Sequence, residues 1–247
     1  MTGTHTGAAT DPADPIKEPP AGGPSSTCRP VTETLEAGSV LWRVHRAWHI
    51  APSGPDHVPD DGTVFNPGHG APTRFGPFTS RTAPFKGRAV PLLYAGESDR
   101  SALFETVLHD QMPGSFVDHH QWTAHLLSAV EVTAELDLVS LHGTGLRSLG
   151  LYAGDITDTY PRLYPRCTRW AAWIHQHLPT AAGLTWRSRQ DNSQRAYLFF
   201  GDRMPPGTLT IPDTIARGRS EPVPIGHGPG LDWVRGVAAS IRVKTSM

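Results

Sequence analysis

The stretch VPLLYAGESDRSALFETVLHD, from Val90 to Asp110, predicts a short strand followed at once by a helix. Its first seven residues form an apolar run of strand length, and Ser98 or Asp99 then offers an N-cap for a helix reaching about Asp110. Apolar side chains recur on one face of this helix at Leu103, Phe104, Val107 and Leu108. The stretch therefore predicts a unit in which a strand end and a helix start lie side by side.

A Gly- and Pro-rich segment, Ala51 to Val90, precedes this unit and follows a strand-like run, SVLWRVHRA from Ser39 to Ala47. Structureless connections of this length inside a domain are usually functional or disordered. The segment carries four basic residues, Arg74, Arg81, Lys86 and Arg88. Chain order thus brings arginine, the aromatic strand end at Tyr94 and the helix carboxylate of Glu105 together. Such a set suits an anionic ligand that contains a ring.

The rest of the chain predicts one α+β domain with a mixed, mostly antiparallel sheet and no βαβ alternation. The expected elements are strands at 121–132, 135–141, 183–188 and 195–200, a Gly-rich loop at 142–159, a helix from about Pro165 to Pro179, and short strands within 208–243. Residues 1–37 are expected to form a disordered tail, because the first thirty contain one Ile and no aromatic residue. The domain is expected to span 38–247.

Charge and composition limit the function classes. The 22 Lys and Arg residues nearly balance 23 Asp and Glu, so neither nucleic acid nor an anionic membrane surface is expected as a partner. The two cysteines, Cys28 and Cys167, are far apart and are expected to be reduced thiols. The sequence shows neither a signal peptide nor an apolar run of spanning length, and we expect a cytoplasmic protein.

Two common site types are not predicted. Gly143 and Gly145 begin a dinucleotide-binding pattern, but its third glycine falls late and no acidic residue follows at the required distance. Among the histidines, His45 and His49 lie in or beside a strand-like run, which would separate them by about 13 Å, too far to share an ion. The cluster at His119, His120 and His125 has no nearby carboxylate except Asp118. No metal site is therefore expected.

Several motifs together resemble the RES domain, a family named for an Arg, a Glu and a Ser. They are LWRV at Leu41, FNP at Phe65, RFGP at Arg74, LLYAGESDRSALFETVLHD from Leu92, CTRWAAWIHQHL from Cys167, GLTWRSR from Gly183 and RAYLFFGD from Arg195. The resemblance covers residues 39–202, and 94–105 is its most specific part. It implies a fold similar to that of ADP-ribosyltransferases and an enzyme that consumes NAD by hydrolysis or by transfer to phosphate.

The resemblance also implies roles for individual residues. Arg74, Glu105 and Ser188 match the residues that name the family, although Ser193 lies close to Ser188 and is an alternative. Tyr94 resembles the aromatic residue at the nicotinamide end of the site. Arg43 matches a second basic position that would meet the diphosphate. Taken singly, each of these residues also fits an ordinary structural role, such as a solvated helix glutamate or an outward-facing strand arginine.

RES proteins are typically toxins of bacterial toxin–antitoxin pairs, blocked by an Xre-type antitoxin, and the resemblance suggests a homodimer. NAD would be the substrate, with inorganic phosphate as a second substrate in the phosphorylase case, and no true cofactor is expected. Two alternatives stay open from the sequence. One is ADP-ribosyl transfer to a macromolecule, and the other is a non-catalytic module that senses NAD or another nucleotide.

Overall fold

A computed structural model describes residues 17–50, 57–68, 71–109, 111–213 and 221–246. The strands of these residues are β1 (Thr32–Leu35), β2 (Val40–Arg46), β3 (Trp48–Ile50), β4 (His57–Pro59), β5 (Leu92–Gly96), β6 (Phe116–Val117), β7 (His125–Val132), β8 (Leu136–Ser140), β9 (Gly183–Arg187), β10 (Arg195–Phe200), β11 (Leu209–Thr210), β12 (Val223–Pro224) and β13 (Lys244–Thr245).

Nine strands form one sheet in the order β1-β8-β9-β10-β5-β2-β7-β11, with β12 also paired to β7. Only β8 and β9 run parallel within this sheet, and the other pairs are antiparallel. The predicted α+β class with a mixed, mostly antiparallel sheet is therefore confirmed. The central strand β10 has the sequence RAYLFF, and its last five residues are buried, which is why it lies inside the sheet rather than at an edge.

The helices of the described residues are α1 (Asp99–Phe104), α2 (Gly143–Ser148), α3 (Ala153–Ile156), α4 (Tyr164–His177) and α5 (Gly228–Ser240). Short 3-10 helices span His119–Trp122, Pro161–Leu163 and Gly201–Arg203. None of the helices in the described part of the chain has the length and apolar character needed to cross a bilayer.

Three predictions about helices were wrong. The helix predicted to reach Asp110 ends at Phe104 and continues as turns to His109, while Asp110 lies outside the described residues. The region 142–159, expected as a loop, contains α2 and α3. The run WVRGVAASIRV, from Trp233 to Val243, belongs to the region 208–243 that was predicted to hold short strands. It lies mostly in α5, where Val234, Val237 and Ala238 are buried at helical spacing.

Helix α4 covers one part of the sheet face that carries the site. Its buried Trp170 and Ile174 pack in one apolar cluster with Leu184 and Leu198 of the sheet. Tyr94 of β5 packs against the same cluster. Pro165 at the helix start has no backbone N–H, so it costs nothing at a position where that group would have no partner in the helix.

The predicted tail is ordered from residue 17 onward, which corrects the expectation for 17–37. Strand β1 pairs with β8, and Cys28 is buried in the cluster beneath α4. The indole N–H groups of Trp170 and Trp173 donate to the carbonyls of Lys17 and Gly22, at 3.0 and 2.8 Å. The tail has little apolar surface of its own, and α4 provides the surface against which it packs. Residues 17–37 are therefore ordered by their contacts with the domain. Residues 1–16 lie outside the described part.

Candidate functional site

Helix α1 sits directly on the sheet because Gly96 has no side chain. A Cβ atom at Gly96 would lie 2.4 Å from Ser101 Oγ and 2.5 Å from the Ala102 backbone nitrogen. The helix start is fixed by a capping box, in which the Ser98 side chain accepts from the Ser101 N–H and the Ser101 side chain accepts from the Ser98 N–H. Strand β5 and α1 are thus locked together, and the end of α1 has a fixed place above the sheet.

Glu105 is the C-cap residue directly after α1, and its side chain contacts Arg74 of the long loop. The Glu105 Oε2 to Arg74 Nη1 distance is 3.6 Å, and the two side chains are only 11% and 4% exposed. The guanidinium of Arg74 also lies over the ring of Tyr164, 6.0 Å from its centroid. A nearly buried cation and carboxylate therefore lie in contact, as the sequence predicted when it brought these two residues together.

Tyr94 holds the loop that carries Arg74. Its hydroxyl lies 2.9 Å from Thr73 Oγ1 and accepts the Phe75 backbone N–H at 3.2 Å, so it binds the residues on both sides of Arg74. Burial raises the pKa of Tyr94 to about 12, so the hydroxyl keeps its proton. Trp186 packs edge-on against the ring of Tyr94 at 6.2 Å. Tyr94 thus positions the loop that carries Arg74, and its expected place at the nicotinamide end stays a prediction.

Four buried polar atoms near these residues have no hydrogen-bond partner among the described residues. They are Arg74 Nε, Glu105 Oε1, Trp186 Nε1 and Ser188 Oγ. Since buried polar groups in native proteins are nearly always paired, such a group of exceptions is expected where a ligand supplies the partners. Arg74 Nε, Trp186 Nε1 and Ser188 Oγ can donate to phosphate, and the carboxylate oxygen of Glu105 can accept from a hydroxyl. The set matches a ligand with both kinds of group.

The register of β9 and β10 gives the sheet face on which Ser188 lies. It follows β9 by one residue, and its N–H donates to the Gln194 carbonyl at 3.0 Å, extending the β9–β10 ladder. Ser188 is two residues past Trp186, so strand alternation puts both side chains on one face. Ser193 is different, because it is exposed and its hydroxyl is bound to Asp191 at 2.5 Å. Burial and the unpaired hydroxyl favour Ser188 over Ser193 as the site serine.

Arg43 does not join the other predicted site residues. Trp42 pairs with Gly96 across β2 and β5, and paired residues share a face, so Arg43 points to the face opposite that of Gly96 and Tyr94. Its Nη1 donates to the carbonyls of Gly62 and Val64 at 2.8 and 2.7 Å and lies 3.7 Å from Asp60. These contacts replace the expected diphosphate contact with a structural role, in which Arg43 fixes the start of the long loop.

The long loop is only partly irregular. Residues 57–59 pair with β3, and a bridge from Asn66 to Leu92 ties the segment to β5. Two further bridges, Thr73 to Gly76 and Thr79 to Ala89, lie within the segment itself. Residues 51–56 and 69–70 lie outside the described part. Of the four basic residues of the segment, Arg74 is buried, whereas the other three, Arg81, Lys86 and Arg88, are exposed. Only Arg74 therefore belongs to the candidate site.

The sequence analysis missed several side chains that complete the site. His109 lies 3.2 Å from Arg74 Nη2, and Phe75 packs edge-on against Trp186 at 5.1 Å. Tyr164 contacts the Arg74 guanidinium from the start of α4. Phe75, His109 and Trp186 lie inside motifs quoted above, but nothing in their spacing showed that they face Arg74. Tyr164 is the first residue of α4, and nothing in the sequence indicated that it lies near Arg74.

The histidine cluster at 118–120 has a structural explanation. Asp118, His119 and His120 place one ligand atom each within 4.8 Å of one another, without His125. The Ser246 hydroxyl bonds both the Asp118 carboxylate at 3.0 Å and His119 Nδ1 at 2.9 Å. These contacts fasten the end of β13 against β6, and they already occupy two of the three side chains.

A separate cavity of about 230 Å³ is lined by residues of β2, α1, β7, β12 and α5. Its walls include Trp42, Trp233 and Leu127, with the carboxylates of Asp99 and Glu221 as its charged groups. Carboxylates would repel a phosphate, so this cavity does not suit an anionic ligand. The Arg74 site is the better candidate for such a ligand.

Two comparisons with known proteins found matches to this chain. A family model described as the RES domain matches residues 40–223, more than half of the chain. The fold is similar to that of a chain in the crystal structure of the M. tuberculosis MbcT–MbcA toxin–antitoxin complex, with 16% sequence identity and a TM-score of 0.47. That match covers 72% of this chain and 82% of the other. None of the curated proteins matches the chain.

Proposed function

Since this chain belongs to the RES domain family, we propose that it binds NAD at Arg74 and Glu105 and cleaves the bond between nicotinamide and ribose. The observation that carries this proposal is the buried Arg74–Glu105 pair, with 3.6 Å between guanidinium and carboxylate. NAD joins a diphosphate, which needs a cation, to a ribose whose hydroxyls need an acceptor. The Arg74 guanidinium can supply the cation, and the adjacent Glu105 carboxylate can supply the acceptor.

Arg74 is the proposed diphosphate ligand. A guanidinium presents its N–H donors in a planar fork that matches two phosphate oxygens, and such charge-assisted bonds are among the stronger ones in proteins. The Nε of Arg74 is buried without a partner, and so is the hydroxyl of Ser188. Both of these groups can donate to a phosphate oxygen.

Glu105 is the proposed carboxylate beside the ribose. In NAD the positive charge is on the pyridine nitrogen, and as the glycosidic bond breaks it moves onto the ribose as an oxocarbenium-like cation. Nicotinamide leaves as a neutral molecule, so no general acid is required. A carboxylate fixed near the ribose stabilises the charge where it develops. The unpaired Glu105 Oε1 can also accept a hydrogen bond from a ribose hydroxyl.

The aromatic side chains beside the pair form the proposed nicotinamide end. Tyr94, Phe75 and Trp186 pack edge-on, with Trp186 5.1 Å from Phe75 and 6.2 Å from Tyr94. Flat apolar walls favour a planar ring and exclude water from the bond that breaks. Exclusion of water also strengthens the attraction between Glu105 and the developing cation.

The acceptor of the ADP-ribosyl group would be water or inorganic phosphate. Depletion of NAD would then arrest growth, which agrees with the resemblance to toxins of toxin–antitoxin pairs. We propose accordingly that the protein acts in the cytoplasm, with an Xre-type antitoxin that blocks the site, and that it assembles as a homodimer. Co-purification with such a protein and loss of NAD cleavage in the complex are the expected results.

Incubation of the purified protein with NAD, with and without phosphate, tests the proposal. Chromatography should show free nicotinamide with ADP-ribose, or with ADP-ribose 1″-phosphate when phosphate is the acceptor. If NAD labelled in its ADP-ribose part were used, label in a protein band would instead indicate ADP-ribosyl transfer to a macromolecule. Stable binding of intact NAD would indicate a sensing module. If the protein neither bound NAD nor cleaved it, that result would contradict the proposal.

A further inference from the structure

We infer that His109 is a positioning residue that fixes the guanidinium of Arg74, an inference that rests on the proposed NAD-cleaving function. His109 lies four residues after Glu105, in the turn that follows α1. Its Nε2 is 3.2 Å from Arg74 Nη2. One short segment of chain therefore supplies two partners of the arginine.

The turn that carries His109 is firmly held. Leu108 is fully buried, and its N–H donates to the Leu103 carbonyl at 3.0 Å. The His109 N–H donates to the Thr106 carbonyl at 3.4 Å. These bonds anchor the backbone at Leu108 and His109 to the end of α1 and the turn that follows it, so the His109 backbone has a fixed place relative to Glu105.

The chemistry of the contact defines the state of the ring. An arginine side chain has only donors, so the hydrogen bond requires a lone pair on His109 Nε2. The ring must then be neutral, with its proton on Nδ1. A doubly protonated imidazole would offer no lone pair and would place a second cation against the guanidinium. The geometry thus demands one particular tautomer.

The consequence is a guanidinium held by both of its terminal nitrogens. Arg74 Nη1 faces Glu105 at 3.6 Å and Nη2 faces His109 at 3.2 Å, while Tyr164 covers the group. The Arg74 Nε has no partner among the described residues. A long arginine side chain loses considerable rotamer freedom when it binds a ligand, and a pre-ordered one loses less. His109 therefore supports NAD affinity by ordering Arg74 before substrate arrives.

Two substitutions separate this role from a general effect on folding. His109→Gln keeps an acceptor near the position of Nε2, whereas His109→Phe keeps a ring and removes the acceptor. His227→Phe is the matched control, because His227 is exposed and its side chain makes no capping bond. Thermal unfolding of each variant verifies that the folded state is retained.

We expect His109→Phe to raise the KM for NAD about 10- to 100-fold, the effect of losing one hydrogen bond to a charged group. The kcat should change much less, because Glu105 keeps its place. His109→Gln should restore most of the affinity, and His227→Phe should match the wild type. Wild-type KM in a folded His109→Phe variant would overturn the inference, and so would a His109→Gln variant as weak as the Phe variant.

A second measurement judges the contact without substrate. Long-range ¹H–¹⁵N spectra of the ligand-free protein distinguish the two neutral tautomers and the imidazolium form, and His109→Gln identifies the signals of this ring. The Nδ1–H tautomer at neutral pH is expected. An Nε2–H tautomer or an imidazolium would overturn the contact. Absence of NAD cleavage by the wild type would instead count against the proposed function, so the two failures are distinguishable.

Discussion

Replacing Glu105 by glutamine tests the chemistry most directly, because the change removes a charge and almost no volume. In the proposed reaction positive charge develops on the ribose beside this carboxylate. At about 4 Å and an effective dielectric constant of about 20, a unit charge pair interacts by about 4 kcal/mol. Each 1.36 kcal/mol is about a factor of ten in rate, so the full effect would approach a thousandfold.

The expected loss is somewhat smaller, because Arg74 lies 3.6 Å from the same carboxylate and partly offsets its field. We therefore expect kcat to fall about 100- to 1,000-fold in Glu105→Gln, in the range found when one transition-state contact is lost. The KM for NAD should change little, since Arg74 still holds the diphosphate. Nicotinamide release, followed by chromatography under saturating NAD, measures this rate.

Glu135→Gln provides the matched control, because Glu135 is exposed in the turn between β7 and β8. That variant should turn over NAD at the wild-type rate. A Glu105→Gln variant that is folded, binds NAD and releases nicotinamide as fast as the wild type would refute the reasoning. Parallel thermal unfolding of both variants separates a loss of chemistry from a loss of structure.

Three further results are expected. Arg74→Ala should weaken NAD binding in isothermal titration by at least about tenfold, since a charge-assisted phosphate contact is lost. Arg88 is exposed in the same loop, and Arg88→Ala should leave the affinity for NAD unchanged. Ser188→Ala should reduce affinity yet leave the melting temperature equal or higher, because its buried hydroxyl has no partner among the described residues; Ser193→Ala, at an exposed position, should not affect affinity. Burial lowers the pKa of His45 from 6.5 to about 4. Between these pH values the unfolded chain binds a proton that the folded chain does not. The free energy of unfolding should therefore decrease as the pH is lowered from 6.5 to about 4, by up to about 3 kcal/mol, at about 1.4 kcal/mol per pH unit. In His45→Gln the melting temperature should depend less on pH over that range, and an equal slope would exclude His45 as the cause.

Local order in the sequence was enough to bring Arg74, Tyr94 and Glu105 together, because β5 and α1 adjoin and Tyr94 binds the loop beside Arg74. The surroundings of Glu105 were not predictable in the same way. Helical spacing placed it on the solvated side of a helix expected to continue to Asp110. The helix ends at Phe104, so that spacing no longer applies, and the side chain turns towards Arg74 and is only 11% exposed.

Helix α5 shows how composition can hide a period. Its apolar residues Val234, Val237 and Ala238 are buried with helical spacing, yet in a short window the β-branched residues favour strand and Gly236 disfavours helix. Burial against the cluster that includes Val44 and Leu127 decides the matter, because the helix presents one apolar face to them. Tertiary packing overrides local preference here.

Arg43 shows why motif position alone did not define the site. Strand alternation fixes which residues of β2 share a face, but only pairing with β5 decides which face meets Tyr94. The pairing of Trp42 with Gly96 places Trp42, and not Arg43, on the face of the site. The arginine is then free to bind the carbonyls of Gly62 and Val64 on the other side. Removing it should therefore lower the stability of the fold, whereas removing Arg74 should lower affinity for NAD, and this difference separates a supporting arginine from a binding one.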